Sequence, residues 1–281
     1  MLSAYQRRKI VDRLGRTAAH GASLVAVVVL VNILGYVAWR GVGGLSWALV
    51  TDLPGPAGES GGGMGNAIVG TLTILGLAAV VGLPVGILTG VYLAELGSSK
   101  VAIVVRFAAD VLAGVPSIVV GVFVYGLVVL PMHRFSAIAG AVALAVLMLP
   151  SVARTTEELL RLVPHTLREA ALALGVPKWR TTLRVVLRTA APGVVTGVML
   201  AVARAAGETA PLLFTALGSQ NWARGIDEPT ASLPVQIYTY AVSPYESWHA
   251  QAWAAALLLV VLVLVLNLAA HLLVRHRVGS R

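Results

Sequence analysis

Residues 154–188 read RTTEELLRLVPHTLREAALALGVPKWRTTLRVVLR and separate two long apolar runs. The segment holds Arg154, Arg161, Arg168, Lys178, Arg180, Arg184 and Arg188. Pro164 suits the first position of a short helix, where a missing N–H costs nothing. Leu167, Ala170, Ala171 and Leu174 then share one face at i, i+3, i+4, i+7 spacing. Gly175 suits the position just past a helix end, and Pro177 starts a second helix. The expected result is a helix–turn–helix with a small-residue face. Its basic residues raise DNA binding, but the flanking apolar runs leave no room for a duplex. An amphipathic segment lying on lipid is another option. A docking surface for a soluble partner fits better, because alanines and a glycine let another helix come close.

Outward from this segment the composition is that of a membrane protein. The chain has 281 residues, of which 58% are hydrophobic and 12% charged, against about 25% charged in soluble domains. The mean hydropathy is +0.85. Six apolar stretches, at 21–39, 66–93, 101–130, 137–152, 190–217 and 250–274, are each read as a transmembrane span of about 20 residues. Continuous rather than alternating apolar runs exclude an outer-membrane barrel. The absence of cysteine excludes disulfides, thiolate metal sites and a cysteine nucleophile.

Charge sets the expected orientation. Of 21 Lys and Arg residues, seventeen fall on one side: in the N-terminal segment (Arg7 to Arg16), after span two (Lys100, Arg106), in 154–188 and after span six. The opposite connectors carry only Arg40, Arg134 and Arg224. The positive-inside rule places both termini in the cytoplasm, and this bias explains the net charge of +9 better than nucleic-acid binding does. Trp39, Trp47, Trp248 and Trp253 fall near the expected outer boundaries. The first apolar run is too long for a signal peptide's core. No repeat of 20–50 residues is evident, and the Gly/Pro-rich stretch 54–65 reads as a flexible external loop.

Three ionisable residues interrupt the spans: Asp110, Arg204 and Glu208. Each costs roughly 2.5–3.5 kcal/mol at the bilayer centre, so each needs a partner or water. Arg204 and Glu208, four apart, are expected on one helix face. Gly207 and Pro211 loosen that helix. Asp110 is expected to pair with Arg106 one turn earlier, with gating as the alternative. Gly114-Val115-Pro116-Ser117 breaks span three and offers Ser117 as a hydrogen-bond donor, or is a simple packing kink. No histidine has metal-ligand spacing.

Glu169-Ala170-Ala171-x-x-x-Gly175, followed by Leu187 twelve residues on, resembles the EAA loop of bacterial ABC-importer permeases. Arg188 stands where that pattern often has proline. The stretches 62–72 (GGMGNAIVGTL), 110–121 (DVLAGVPSIVVG) and 204–216 (RAAGETAPLLFTA) resemble the PstA-type permeases of phosphate importers, as do Leu233-Pro234-Val235 and Ser243-Pro244. The companion C-type permeases typically read GETMA where this chain has GETAP.

The resemblance implies an all-α integral membrane fold, the six-helix permease bundle of type I ABC importers. It divides the chain into a cytoplasmic tail (1–20), a first helix with an external loop (21–65), the permease domain (66–274, with its EAA loop at 155–189) and a second cytoplasmic tail (275–281). It implies a non-enzymatic transport subunit for inorganic phosphate in the bacterial inner membrane, working by alternating access. Glu169, Ala170, Ala171 and Gly175 would couple to a separate ATPase. Arg204, Glu208, Thr209, Asp110 and Ser117 would line the substrate path. There Arg204 would meet the anion, and Glu208 would hold Arg204 and prevent a tight anion trap. A buried ion pair that only orients span five is the alternative. Implied partners are a PstC-like second permease, a PstB-like ATPase dimer and a PstS-like extracytoplasmic phosphate-binding protein. The chain itself would bind no cofactor or metal; ATP and Mg would be used by the ATPase. Consistently, there is no Gly-Lys dipeptide and hence no P-loop, and no H-E-x-x-H or G-x-S-x-G motif. The external loops are too short for a substrate-capturing domain. Two other readings remain: a permease for another oxyanion, such as sulfate or molybdate, and a membrane enzyme using Glu208.

Overall fold

The computed structural model describes residues 4–59, 61–97 and 99–279. Of the expected tails, residues 1–3 and 280–281 lie outside the described residues. The first tail is otherwise helical: α1 (Ala4–Val42) includes it without a break. A short α2 (Trp47–Thr51) leads to α3 (Gly65–Glu95) and α4 (Lys100–Gly114). Then come α5 (Ser117–Val124), a π-helical turn (Tyr125–Val129) and α6 (Leu130–Met132). The chain continues through α7 (Ala137–Arg161), α8 (His165–Ala173), α9 (Lys178–Thr181), a second π turn (Thr182–Val186) and α10 (Leu187–Ala206). It closes with α11 (Ala210–Leu213), α12 (Leu233–Ala241) and α13 (Glu246–Gly279). Among the described residues the one β feature is an isolated bridge between Pro54 and Gly62.

Five helical stretches are long and apolar enough to cross a membrane, and a sixth is reached when the bent pair Lys100–Gly114 and Ser117–Met132 counts as one span. That pair turns by 105°, where Pro116 removes a donor and disfavours helix for Val115.

Three boundaries of the fourth and fifth spans differ from those expected. The fourth helix runs to Arg161 rather than 152, and the fifth begins at Lys178 rather than 190. Apolar composition marks only the lipid-facing length; the charged extension of the fourth helix stays helical with ion pairs holding Arg154, Glu157 and Arg161. The fifth helix also stops at Ala206 rather than 217, since Gly207 ends it and Pro211 cannot continue it.

The most buried spanning helix is α7. On α3, Gly82, Gly86 and Gly90 recur every four residues, against Ala145, Val152 and Thr156 of α7. A Cβ at Gly90 would come 2.6 Å from the Ala153 carbonyl oxygen. From the other side, Gly193 and Gly197 of α10 meet Leu159 and Thr155 of α7. Within lipid, where apolar burial gives little drive, such small-residue stripes hold helices together by close van der Waals contact.

The 54–65 stretch is not the loose loop expected. Gly62 (φ +79°) abuts the backbone of Gly55, and Gly63 abuts the Ala48 carbonyl. Gly63 N donates to Leu53 O at 2.8 Å, and Met64 N to Leu49 O at 2.7 Å. Without side chains these glycines let backbone lie on backbone.

Candidate functional site: a docking helix and a cavity between two helix breaks

The segment quoted at the outset forms one free helix, α8. Pro164 (φ −55°, ψ 139°) precedes this helix as its N-cap rather than occupying the first helical position, since its carbonyl accepts from Leu167 N at 3.2 Å. Pro177 caps α9 in the same way. Gly175 has φ +75°, donates to Leu172 O at 2.9 Å, and is followed by Val176 N donating to Ala171 O at 3.1 Å. This is a Schellman closure, which needs a left-handed residue just past the helix end. Of the four residues expected on one face, Ala171 alone is buried; Leu167 and Leu174 are exposed, as are Glu169 and Ala170. The expected second helix is not separate. From Lys178 it runs through the π turn into α10, one spanning stretch to Ala206.

Beside α8, charges cross between helices. Asp110 pairs with Arg154 of α7, not with Arg106. Arg106 instead reaches Glu157 at 2.8 Å, which Arg161 also holds at 2.7 Å. The reason is physical: α4 lies along α7, so Arg106 and Asp110 each find an opposite charge across the interface. An intrahelical pair with its basic residue on the N-terminal side is the weaker orientation. Glu157 is 7% exposed, so two guanidiniums are what make its burial tolerable.

The membrane-embedded site lies where two helices break. A cavity of about 180 Å³ is bounded by the Val115–Ser117 break, by Met148, Pro150 and Ser151 on α7, and by Arg204 and Glu208 at the end of α10. Glu208 lies beyond that helix end, not on a continuous face with Arg204. Even so, Arg204 Nε and Glu208 Oε1 are 3.9 Å apart, an ion pair beyond hydrogen-bond range. The Arg204 side chain is 77% exposed and that of Glu208 21%, so this is no deeply buried pair.

The break after Glu208 is fixed by neighbours. Thr209 precedes α11, its carbonyl accepting from Leu212 N and Leu213 N. Pro211 sits against Gly121 of α5, where a Cβ would come 2.6 Å from Pro211 Cα. The structure therefore brings Ser117, Arg204 and Glu208 to one cavity and leaves Asp110 and Thr209 outside its lining.

Sequence reasoning passed over Ser151, although Pro150-Ser151 repeats the Pro116-Ser117 dipeptide. It passed over the α3 glycine stripe, whose signal is the spacing of four. It also passed over Arg168 with Glu95, which no local spacing announces. Among the described residues no cluster of three or more metal-binding side chains occurs.

Comparison with known proteins agrees with this architecture. Residues 82–278 match the family described as binding-protein-dependent transport system inner membrane component. The chain is 46% identical to the phosphate transport system permease protein PstA of Yersinia pestis, over 96% of this chain and 91% of that one. It is 42% identical to PstA 1 of Mycobacterium tuberculosis (strain H37Rv), over 95% and 88% of the two chains. A solved inward-facing structure of the MetNI methionine ABC transporter shares the fold, with a TM-score of 0.62 and 23% identity, covering 82% of this chain and 96% of that one. This chain thus belongs to the binding-protein-dependent transport inner-membrane components, among the PstA permeases.

Proposed function

We propose that the chain is the A-type permease subunit of an ATP-driven importer of inorganic phosphate in the bacterial inner membrane, with both termini cytoplasmic. Kinship over nearly the whole chain with PstA permeases supports the phosphate assignment. The working assembly adds a PstC-like permease, a PstB-like ATPase dimer using ATP and Mg, and a PstS-like binding protein outside. Glu169, Ala170, Ala171 and Gly175 present α8 to the ATPase. Closure of the ATPase then moves α8 and, through the continuous stretch Lys178–Ala206, the end of α10 where Arg204 sits.

The observation that carries the pathway is that Arg204 and Glu208 share one cavity with the Pro116–Ser117 break. Guanidinium offers a planar fork to two phosphate oxygens. The N-terminus of α5 adds unpaired amides and the positive end of a helix dipole. Discontinuous helices around a midplane site are a recurring way to bind anions in transporters. Ser117 and Ser151 supply hydroxyl donors. Glu208 competes for Arg204, which keeps anion binding weak enough for release. Asp110 and Thr209 brace α4 and α11 beside the path.

Labelled phosphate uptake by the reconstituted complex tests this reading. Arg204→Ala should lower uptake at least about tenfold, the loss expected when a charge-assisted hydrogen bond worth about 1.5–3 kcal/mol is removed, while the subunits still co-purify. An assembled Arg204→Ala complex with normal uptake would overturn the pathway role.

A further inference from the structure

We propose that Arg168 is a positioning residue that tethers α8 to the end of α3, so that movement of the docking helix reaches the α3–α7 core as well as α10. The inference rests on the reading of α8 as the ATPase-docking element and adds the route by which its motion enters the bundle. Arg168 lies on α8, yet its side chain is only 17% exposed, and its ion-pair partner Glu95, in the last turn of α3, is 13% exposed. The second terminal nitrogen donates to Leu160 O of α7 at 2.8 Å. One guanidinium thus joins three helices.

On a nine-residue helix whose other charged residue, Glu169, faces out, the burial of this arginine is the exception. A buried charge survives only when paired and hydrogen-bonded. Breaking such a pair therefore frees α8 from α3 rather than leaving a tolerable half-contact. The planar fork gives the link direction as well as strength. Beyond Glu95 the glycine stripe of α3 lies on α7, so a displacement imposed at Arg168 moves two helices that have no slack between them. The covalent path from α8 to α10, by contrast, passes through a tight turn and a π turn.

The test uses the full complex of permeases, ATPase and binding protein in proteoliposomes, reading phosphate transported per ATP hydrolysed. Glu95→Gln and Arg168→Gln should each lower that ratio about tenfold, within the usual range of coupling between sites, with the ATPase still co-purifying and hydrolysing ATP. The exchanged pair Glu95→Arg/Arg168→Glu should restore most of the ratio, whereas a purely structural role would show in assembly and leave the ratio of assembled complexes unchanged. An unchanged ratio in the single variants, or an assembled exchanged pair no better than they are, would overturn the proposal. Because the chain has no cysteine, Glu95→Cys/Arg168→Cys gives a second reading in cysteine-free partners. A short bismaleimide bridge should raise the ratio above that of the unbridged complex, and no rise would contradict the tether. Glu169→Lys separates the two levels: an unchanged ratio there would sink the docking role of α8 itself, whatever Glu95 shows.

Discussion

Glycine and proline act in opposite senses in two neighbouring regions. Between α3 and α7, Gly82, Gly86 and Gly90 keep two long helices in contact along their length. Around the cavity, Val115–Pro116 breaks one span and Gly207 with Pro211 ends another. The first region leaves no space for a Cβ at Gly86 or Gly90; the second leaves a cavity of about 180 Å³. The difference is one of partners. A glycine facing another backbone makes a close joint, whereas a glycine or proline at a helix break takes backbone groups out of the helical ladder. The molecule thus sets a close-packed α3–α7 joint beside a cavity at two helix breaks.

The comparison can be broken at its close-packed side first. Gly90→Leu places a side chain against the Ala153 carbonyl and Thr156. Overpacking usually costs about 1–3 kcal/mol and costs more when backbone is in the way. The expected outcome is loss of the assembled complex in detergent, measured by co-purification; normal yield would mean that α3 and α7 are not so tightly joined. Gly76 of α3 has open space around it, so Gly76→Leu should assemble normally in the same assay.

Next in size is α8. Glu169→Lys should keep the complex assembled and lower phosphate transported per ATP about tenfold. Gly175→Asp should have a smaller effect, since it strains a left-handed position by about 1–2 kcal/mol without reversing an exposed charge. A coupling ratio equal to wild type in both variants would remove the docking assignment.

The smallest effect is expected in the cavity. Ser151→Ala removes one hydroxyl from the lining, and a neutral hydrogen bond contributes about 1 kcal/mol. Uptake should fall a few-fold at unchanged assembly, and Ser151→Thr should be closer to wild type. No change in uptake would take Ser151 out of the path.

Much of this was legible in the sequence because apolar run length and charge bias are direct consequences of the bilayer. Lys and Arg cannot cross cheaply, so their distribution carries the expected orientation, and runs of about 20 apolar residues carry the spans. Gly175 was legible because a helix end that needs positive φ selects glycine. Span ends were not, because α7 continues past Val152 on the strength of ion pairs whose partners lie on α4. The partner of Asp110 is hidden for the same reason: its nearest basic residue along the helix is Arg106, but its partner in space is Arg154, 44 positions away. Arg204 and Glu208 stood out as charges in apolar surroundings, while their neighbour Ser151 was hidden among residues of ordinary type. Arg168 was visible only as one more basic residue in a basic segment.

The central claim is that this chain serves ATP-driven phosphate import. It is tested most directly by labelled phosphate uptake into proteoliposomes holding this subunit with its partner permease, ATPase and binding protein, with unlabelled sulfate and molybdate as competitors. The account predicts accumulation that requires ATP and resists both competitors. Efficient competition would point to a broader oxyanion permease, and uptake indifferent to ATP would contradict the assignment itself.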